Sequence, residues 1–174
     1  MERYYEISMN KSYVNLPRLT NIETKRELIN LDLEQYQKYR QITIVEIKGN
    51  KDITDTDVLL DPIFMVNERI YQLFQSILPD LLWKSIILNG KNVKMKNFMY
   101  YFPYLETVEI KGKYTPQNII SNNKIILNKE EIKDKDIFRL KNLNQYSVIV
   151  REDVLEYMLA LRVTGIDIKK MEVK

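Results

Sequence analysis

Two stretches of this chain carry the same pattern, and that pattern bounds the folds open to it. Ile63-Phe-Met-Val66 reads as a strand and Asn67 as a helix N-cap; Ile70, Leu73, Phe74, Ile77 and Leu78 then recur at helical spacing until Pro79 stops the helix. A strand from Leu82 to Leu88 follows. The order returns at Val148-Ile-Val150, where Val154, Tyr157, Met158 and Leu161 align with Ile70, Leu73, Phe74 and Ile77, and an apolar run from Ile166 to Val173 closes it. Stripes of this width are what a helix packed on a sheet requires, so both are expected in the core and neither lines a cofactor. Two copies are too few for a solenoid.

The rest of the chain adds strands faster than helices. Arg3 to Met9 is aromatic and β-branched, and Gln41 to Lys48 places Thr43, Val45 and Ile47 on one face before the Gly49-Asn50 turn. Asn21 to Arg40, with Ile29, Leu33 and Tyr36 in helical register behind an Asn21 cap, predicts one helix. Val108 to Ile110, Ile125 to Leu127 and Ile137 to Leu140 read as short strands, with a charged turn from Lys129 to Asp136. The expectation is a single α+β domain over residues 1–174, with 1–60 the less patterned part and 61–174 the duplicated strand-helix-strand region. Its sheet is mixed or mainly antiparallel and carries amphipathic helices at 67–78 and 152–162; so few helices disfavour a doubly wound parallel architecture.

Composition removes whole classes of chemistry. At 174 residues, 45% hydrophobic and 29% charged, the chain is neither disordered nor collagen-like. It holds no His and no Cys, so the usual zinc ligands, the Ser-His and Cys-His pairs and any disulfide are excluded. Its four glycines, Gly49, Gly90, Gly112 and Gly165, are too dispersed for a G-x-G-x-x-G turn or a P-loop. No cofactor, metal or catalytic residue is assigned, and an enzyme is the least favoured class, because no pair of carboxylates stands out from the charged surface. With no stretch of signal-peptide character and none near the ~18 apolar residues of a membrane helix, a soluble cytoplasmic protein without a membrane partner is expected. The net charge of +3 names no partner.

Two clusters invite a binding role. Asp52, Asp55 and Asp57 have acidic character but not the spacing of a calcium loop, and a solvated acidic loop outweighs a metal site. Lys94, Lys96, Tyr100 and Tyr101 lie in a run of bases and aromatics, with Phe98 among them, of the kind that stacks single-stranded nucleic acid. A half-buried strand rich in aromatics is the favoured alternative there.

A resemblance completes the reading. Ile125-Ile-Leu-Asn128, Ile137-Phe-Arg-Leu140, Val148-Ile-Val-Arg-Glu-Asp-Val154 and Thr164-Gly-Ile166 resemble the C-terminal half of a family of bacterial immunity proteins from polymorphic-toxin systems. That family has a V-S-E-x-L type helix followed by T-G and an apolar strand. Phe64-Met-Val-Asn-Glu-Arg-Ile70 and the Tyr100-Tyr101 pair are similar to its middle region. Arg151 departs from the pattern, since the family tends to have a serine there that would cap the helix; the cap is expected to shift or to pass to Asp153. Gly165 is read as the left-handed residue at the end of that helix. The resemblance implies a cytoplasmic protein that binds and neutralises a cognate toxin. On that view Asp52, Asp55 and Asp57 could mimic phosphates before a basic nuclease site, with Lys94, Lys96, Tyr100 and Tyr101 as further partner-binding candidates. A single-stranded nucleic-acid-binding module is the alternative, ranked below a protein partner. The toxin, the strand order and the oligomeric state stay open.

Overall fold

A computed structural model of the protein describes residues 2–48, 52–90, 98–109, 125–142 and 145–174. The described strands are β1 (Tyr4–Met9), β2 (Arg18–Leu19), β3 (Ile42–Lys48), β4 (Val58–Leu59), β5 (Met65–Val66), β6 (Trp83–Asn89), β7 (Met99–Pro103), β8 (Thr107–Glu109), β9 (Ile126–Leu127), β10 (Ile137–Asn142), β11 (Gln145–Arg151), β12 (Ile166–Lys170) and β13 (Glu172–Val173). The described helices are α1 (Ile22–Asn30), α2 (Leu33–Lys38), α3 (Glu68–Ile77), the single turn α4 (Lys129–Ile132) and α5 (Glu152–Ala160).

The architecture is α+β with mixed, mostly antiparallel sheets. Where one sheet under both amphipathic helices is expected, there are two, one in each of two compact units. The unit of Met9–Tyr104 and Ala160–Ile166 holds a six-stranded sheet in the order β2-β3-β6-β7-β5-β4. The unit of Met1–Ser8, Leu105–Leu159 and Asp167–Lys174 holds a five-stranded sheet in the order β12-β1-β11-β10-β8, and a separate β13-β9 ladder.

The predicted pair of strand-helix-strand units is present, one per sheet. Hairpin β4-β5 leads into α3 and then β6, with β7 lying between β5 and β6. Hairpin β10-β11 leads into α5 and then β12, with β1 between β11 and β12. The orders β6-β7-β5-β4 and β12-β1-β11-β10 therefore match strand for strand, although β7 and β1 come from opposite sides of their helices in sequence.

In the six-stranded sheet, β3 buries Thr43, Val45 and Ile47 and exposes the residues between them, as its period-2 alternation dictates. Ile86 and Leu88 of β6 and Tyr100 and Phe102 of β7 join Val45 and Ile47 in one core, which Leu28, Leu31 and Tyr36 complete. The single helix expected over 21–40 is interrupted. Asp32 and Gln35 exchange backbone and side-chain bonds in a capping box that starts α2 afresh, and Leu31 before it is extended and buried. Lys84 is buried beneath α2; its ammonium donates to Tyr39 O at 2.6 Å, satisfying a carbonyl at the helix end, and sits 5.3 Å from the Tyr36 ring centre.

The Tyr36 hydroxyl is shared between Phe102 O at 2.9 Å and Leu82 O at 3.0 Å. Tyr36→Phe is expected to cost about 1 kcal/mol, the net worth of a buried hydrogen bond. An unchanged urea midpoint would show that the hydroxyl adds nothing beyond its desolvation.

α3 starts where Asn67 Oδ1 accepts from Ile70 N, and it buries Ile70 and Phe74, as predicted. In the other unit α5 buries Val154, Leu155 and Met158, but Tyr157, expected in the stripe, is 53% exposed. The buried arc is turned by about one residue toward Leu155, and Tyr tolerates the outward place because its hydroxyl can be hydrated. Arg151 does not cap α5; its guanidinium bridges Asp136 at 2.6 Å and Asp153 at 2.7 Å, while Asp153 Oδ1 accepts from Val154 N at 2.9 Å. The expected run from Ile166 to Val173 breaks at Met171, which enters the core of Tyr4, Phe138, Leu140 and Ile149 and sends β13 to pair in parallel with β9.

Gly165 has φ +94, so the left-handed reading of that residue holds, but its reason differs. The left-handed residue just beyond α5 is Arg162, at φ 54. Gly165 serves close backbone approach instead: a Cβ there would lie 2.5 Å from Val58 O.

Candidate interaction surface

The three acids between residues 52 and 57 do not form one solvated cluster. Asp52 is exposed and Asp55 half-buried, whereas Asp57 is buried. The Asp57 carboxylate accepts from Asn67 Nδ2 at 2.8 Å, from Arg69 Nη2 at 2.6 Å, and from Thr164 through both its amide and its hydroxyl at 2.8 Å. Arg69 also donates from Nη1 to Leu161 O at 2.8 Å. Burial alone would raise the Asp57 carboxyl, but the bonds from Arg69, Thr164 and Asn67 outweigh it and hold the group below its ordinary 3.8. Asn67, Arg69 and Thr164, from distant parts of the chain, converge on one carboxylate. That role is structural, and it takes Asp57 off the surface.

The basic-aromatic run also divides. Lys94 and Lys96 lie outside the described residues. Tyr100 is fully buried and donates to Thr56 O at 2.8 Å; burial raises its hydroxyl well above the ordinary value. Tyr101 points to the opposite face of the sheet, where its ring stacks on Tyr71 with centroids 4.0 Å apart and 7° between planes, and its hydroxyl donates to Glu68. Burial and that bond push the Tyr101 hydroxyl up to about 12. Tyr100 is closed off in the core and Tyr101 has one ring face covered by Tyr71, whereas Phe98 at the start of the run is 57% exposed.

Beside that stack lies a surface the sequence reading did not single out. The face of the six-stranded sheet opposite its core carries Ile42 and Ile44 from β3, in register with Ser85 and Ile87 of β6, which in turn stand opposite Tyr101 and Met99 of β7. α3 covers the β7 side: Tyr71 meets Trp83 edge-on at 5.2 Å, and Phe74 meets Trp83 at 5.7 Å. The β3 side is open. Ile42 is 54% exposed and Ile44 is 68% exposed, although both occupy regular strand positions. Glu46, Lys48 and Asn89 rim the patch with polar groups. The signal was present in the sequence, since Gln41 to Lys48 is apolar on both faces at its start; only the sheet shows which face stays uncovered.

Elsewhere, Ile125, Lys169, Lys170, Met171 and Glu172 line an open cavity of about 380 Å³. Among the described residues, no group of three carboxylates is placed to hold a metal ion, and no helix is long and apolar enough to cross a membrane. A scan against models of protein families finds no match to this chain, and neither does a search of curated proteins.

Proposed function

We propose that this is an immunity protein, which binds a cognate bacterial toxin domain in the cytoplasm and neutralises it by occupancy rather than by catalysis. The observation that carries this reading is the exposed pair Ile42 and Ile44 on the uncovered face of β3. Two adjacent β-branched side chains left in water on a rigid sheet are unfavourable for an isolated protein, and contiguous apolar surface inside a polar rim is the anatomy of a protein interface. Beside it, Tyr71 stacks on Tyr101 and meets Trp83 edge-on, so that part of the face is covered while the β3 side is not. The segments resembling immunity proteins of polymorphic-toxin systems agree with this class of function.

The test is co-expression with each toxin candidate encoded beside the gene, scored by survival and by co-purification. The expected result is rescue from one toxin and a stable complex. Ile42→Asp combined with Ile44→Asp is then expected to weaken the complex by at least about 30-fold, as loss of a central interface anchor does. The free protein stays folded with only a modest loss of stability, because both side chains are more than half exposed and the cost is that of Asp in a strand. Full protection by the double variant would overturn this face as the binding surface. Failure of every toxin would overturn the immunity reading itself.

A further inference from the structure

We propose that two copies of this chain associate through the outer edge of β12, paired antiparallel about Ile168. β12 ends the five-stranded sheet, with β1 on its inner side, and Asp167, Ile168, Lys169 and Lys170 are exposed. Two hydrogen bonds fix how the strand is turned: Asn10 N donates to Gly165 O at 3.1 Å, and Met171 N donates to Tyr4 O at 2.9 Å. In an antiparallel ladder, alternate residues aim their N–H and C=O at the neighbour. Gly165, Asp167, Lys169 and Met171 therefore face β1, and the backbone groups of Ile166, Ile168 and Lys170 face outward. Among the described residues no strand receives them. Such a row of unpaired groups is a template for another strand.

The side chains specify which strand fits. A two-fold axis through Ile168 lets that residue exchange both backbone bonds with its own copy, and sets Ile166 against Lys170 in the next bonded pairs. Asp167 then stands opposite Lys169 of the second copy, twice, at the non-hydrogen-bonded positions where strands bring side chains closest. Both side chains are exposed: Asp167 is open to solvent, and Lys169, 67% exposed, stands 3.9 Å from Glu6. A parallel pairing in register would instead place Asp167 on Asp167 and Lys169 on Lys169. The charge order therefore admits the antiparallel dimer and opposes the parallel one, and the two-fold contact closes on itself.

Sedimentation of the wild-type chain from micromolar to millimolar concentration is expected to show the mass of two chains at the upper end. Lys169→Asp is expected to return it to one chain, and the exchange Asp167→Lys with Lys169→Asp to restore two. Amide hydrogen exchange at Ile166, Ile168 and Lys170 is expected to slow as wild-type concentration rises. That measurement needs no variant and stands even if a substitution perturbs folding, which circular dichroism on the same samples reports. A single-chain mass at every concentration would overturn the proposal. So would a dimer indifferent to Lys169→Asp, a charge exchange that fails to restore pairing, or a dimer in which those three amides exchange as in the monomer.

Discussion

Asp57→Ala will cost this protein about 3 kcal/mol, lowering its melting temperature by roughly 6–12 °C, as breaking a buried and fully bonded charge does in a chain of this size. The loss exceeds that of one hydrogen bond because Thr164 N, Thr164 Oγ1 and Asn67 Nδ2 lose their acceptor at once. Arg69, 49% exposed, can turn to water, which keeps the figure at the lower end of the range for buried pairs. Asp57→Asn should do little better, since its amide would face the donors of Arg69 and Asn67. The same site sets an acid limit. The folded carboxyl titrates below its ordinary 3.8, so its contribution is complete above that value and is lost as pH falls through the lower folded value. Urea unfolding of wild type and Asp57→Asn across this range should give curves that converge toward the acid end. Curves that stay parallel would mean that the ionised form of Asp57 is not what holds Thr164.

Gly165→Val should be more damaging still, with a loss above about 3 kcal/mol. Two costs coincide. The backbone at φ +94 is one that L side chains rarely adopt, and the new Cβ would stand 2.5 Å from Val58 O and 2.9 Å from Thr56 Cβ. Val58 cannot simply move away: its amide donates to Thr164 O and its carbonyl accepts the Thr56 hydroxyl at 2.9 Å. Relief therefore requires separating the segment that carries the Asp57 bonds. Thermal unfolding measures this, and a melting temperature equal to wild type would show that the approach of Gly165 to Val58 is not needed.

These two residues mark the boundary of what the sequence could tell. Local pattern was enough for β3, for α3 with its Asn67 cap, and for the two hairpin-helix-strand arrangements, because each is fixed by periodicity and capping over a few neighbouring residues. The capping box at Asp32 and Gln35 was also local, and reading it would have divided the long helix. Asp57 was different: its partner Thr164 is 107 residues away, and an acid near two others looks solvated until that distance is closed. Tyr157 stands outside the buried arc because aligning two stripes fixes a helix's period but not its rotation on the sheet. Ile42 and Ile44 could be read as apolar, but whether an apolar strand face is covered depends on where α3 comes to rest.

The difference in origin between β7 and β1 has a kinetic consequence. All strands of the six-stranded sheet lie between Arg18 and Pro103, so that sheet can assemble from nearby chain. β1 must wait for β11, and the bond between Tyr5 and Glu152 spans 147 residues. Contacts so distant are slow to form because the intervening chain must first be closed into a loop. During synthesis β1 is therefore an orphan strand, with both edges open until the last third of the chain emerges. It is the segment where premature pairing with another nascent chain competes most directly with correct folding.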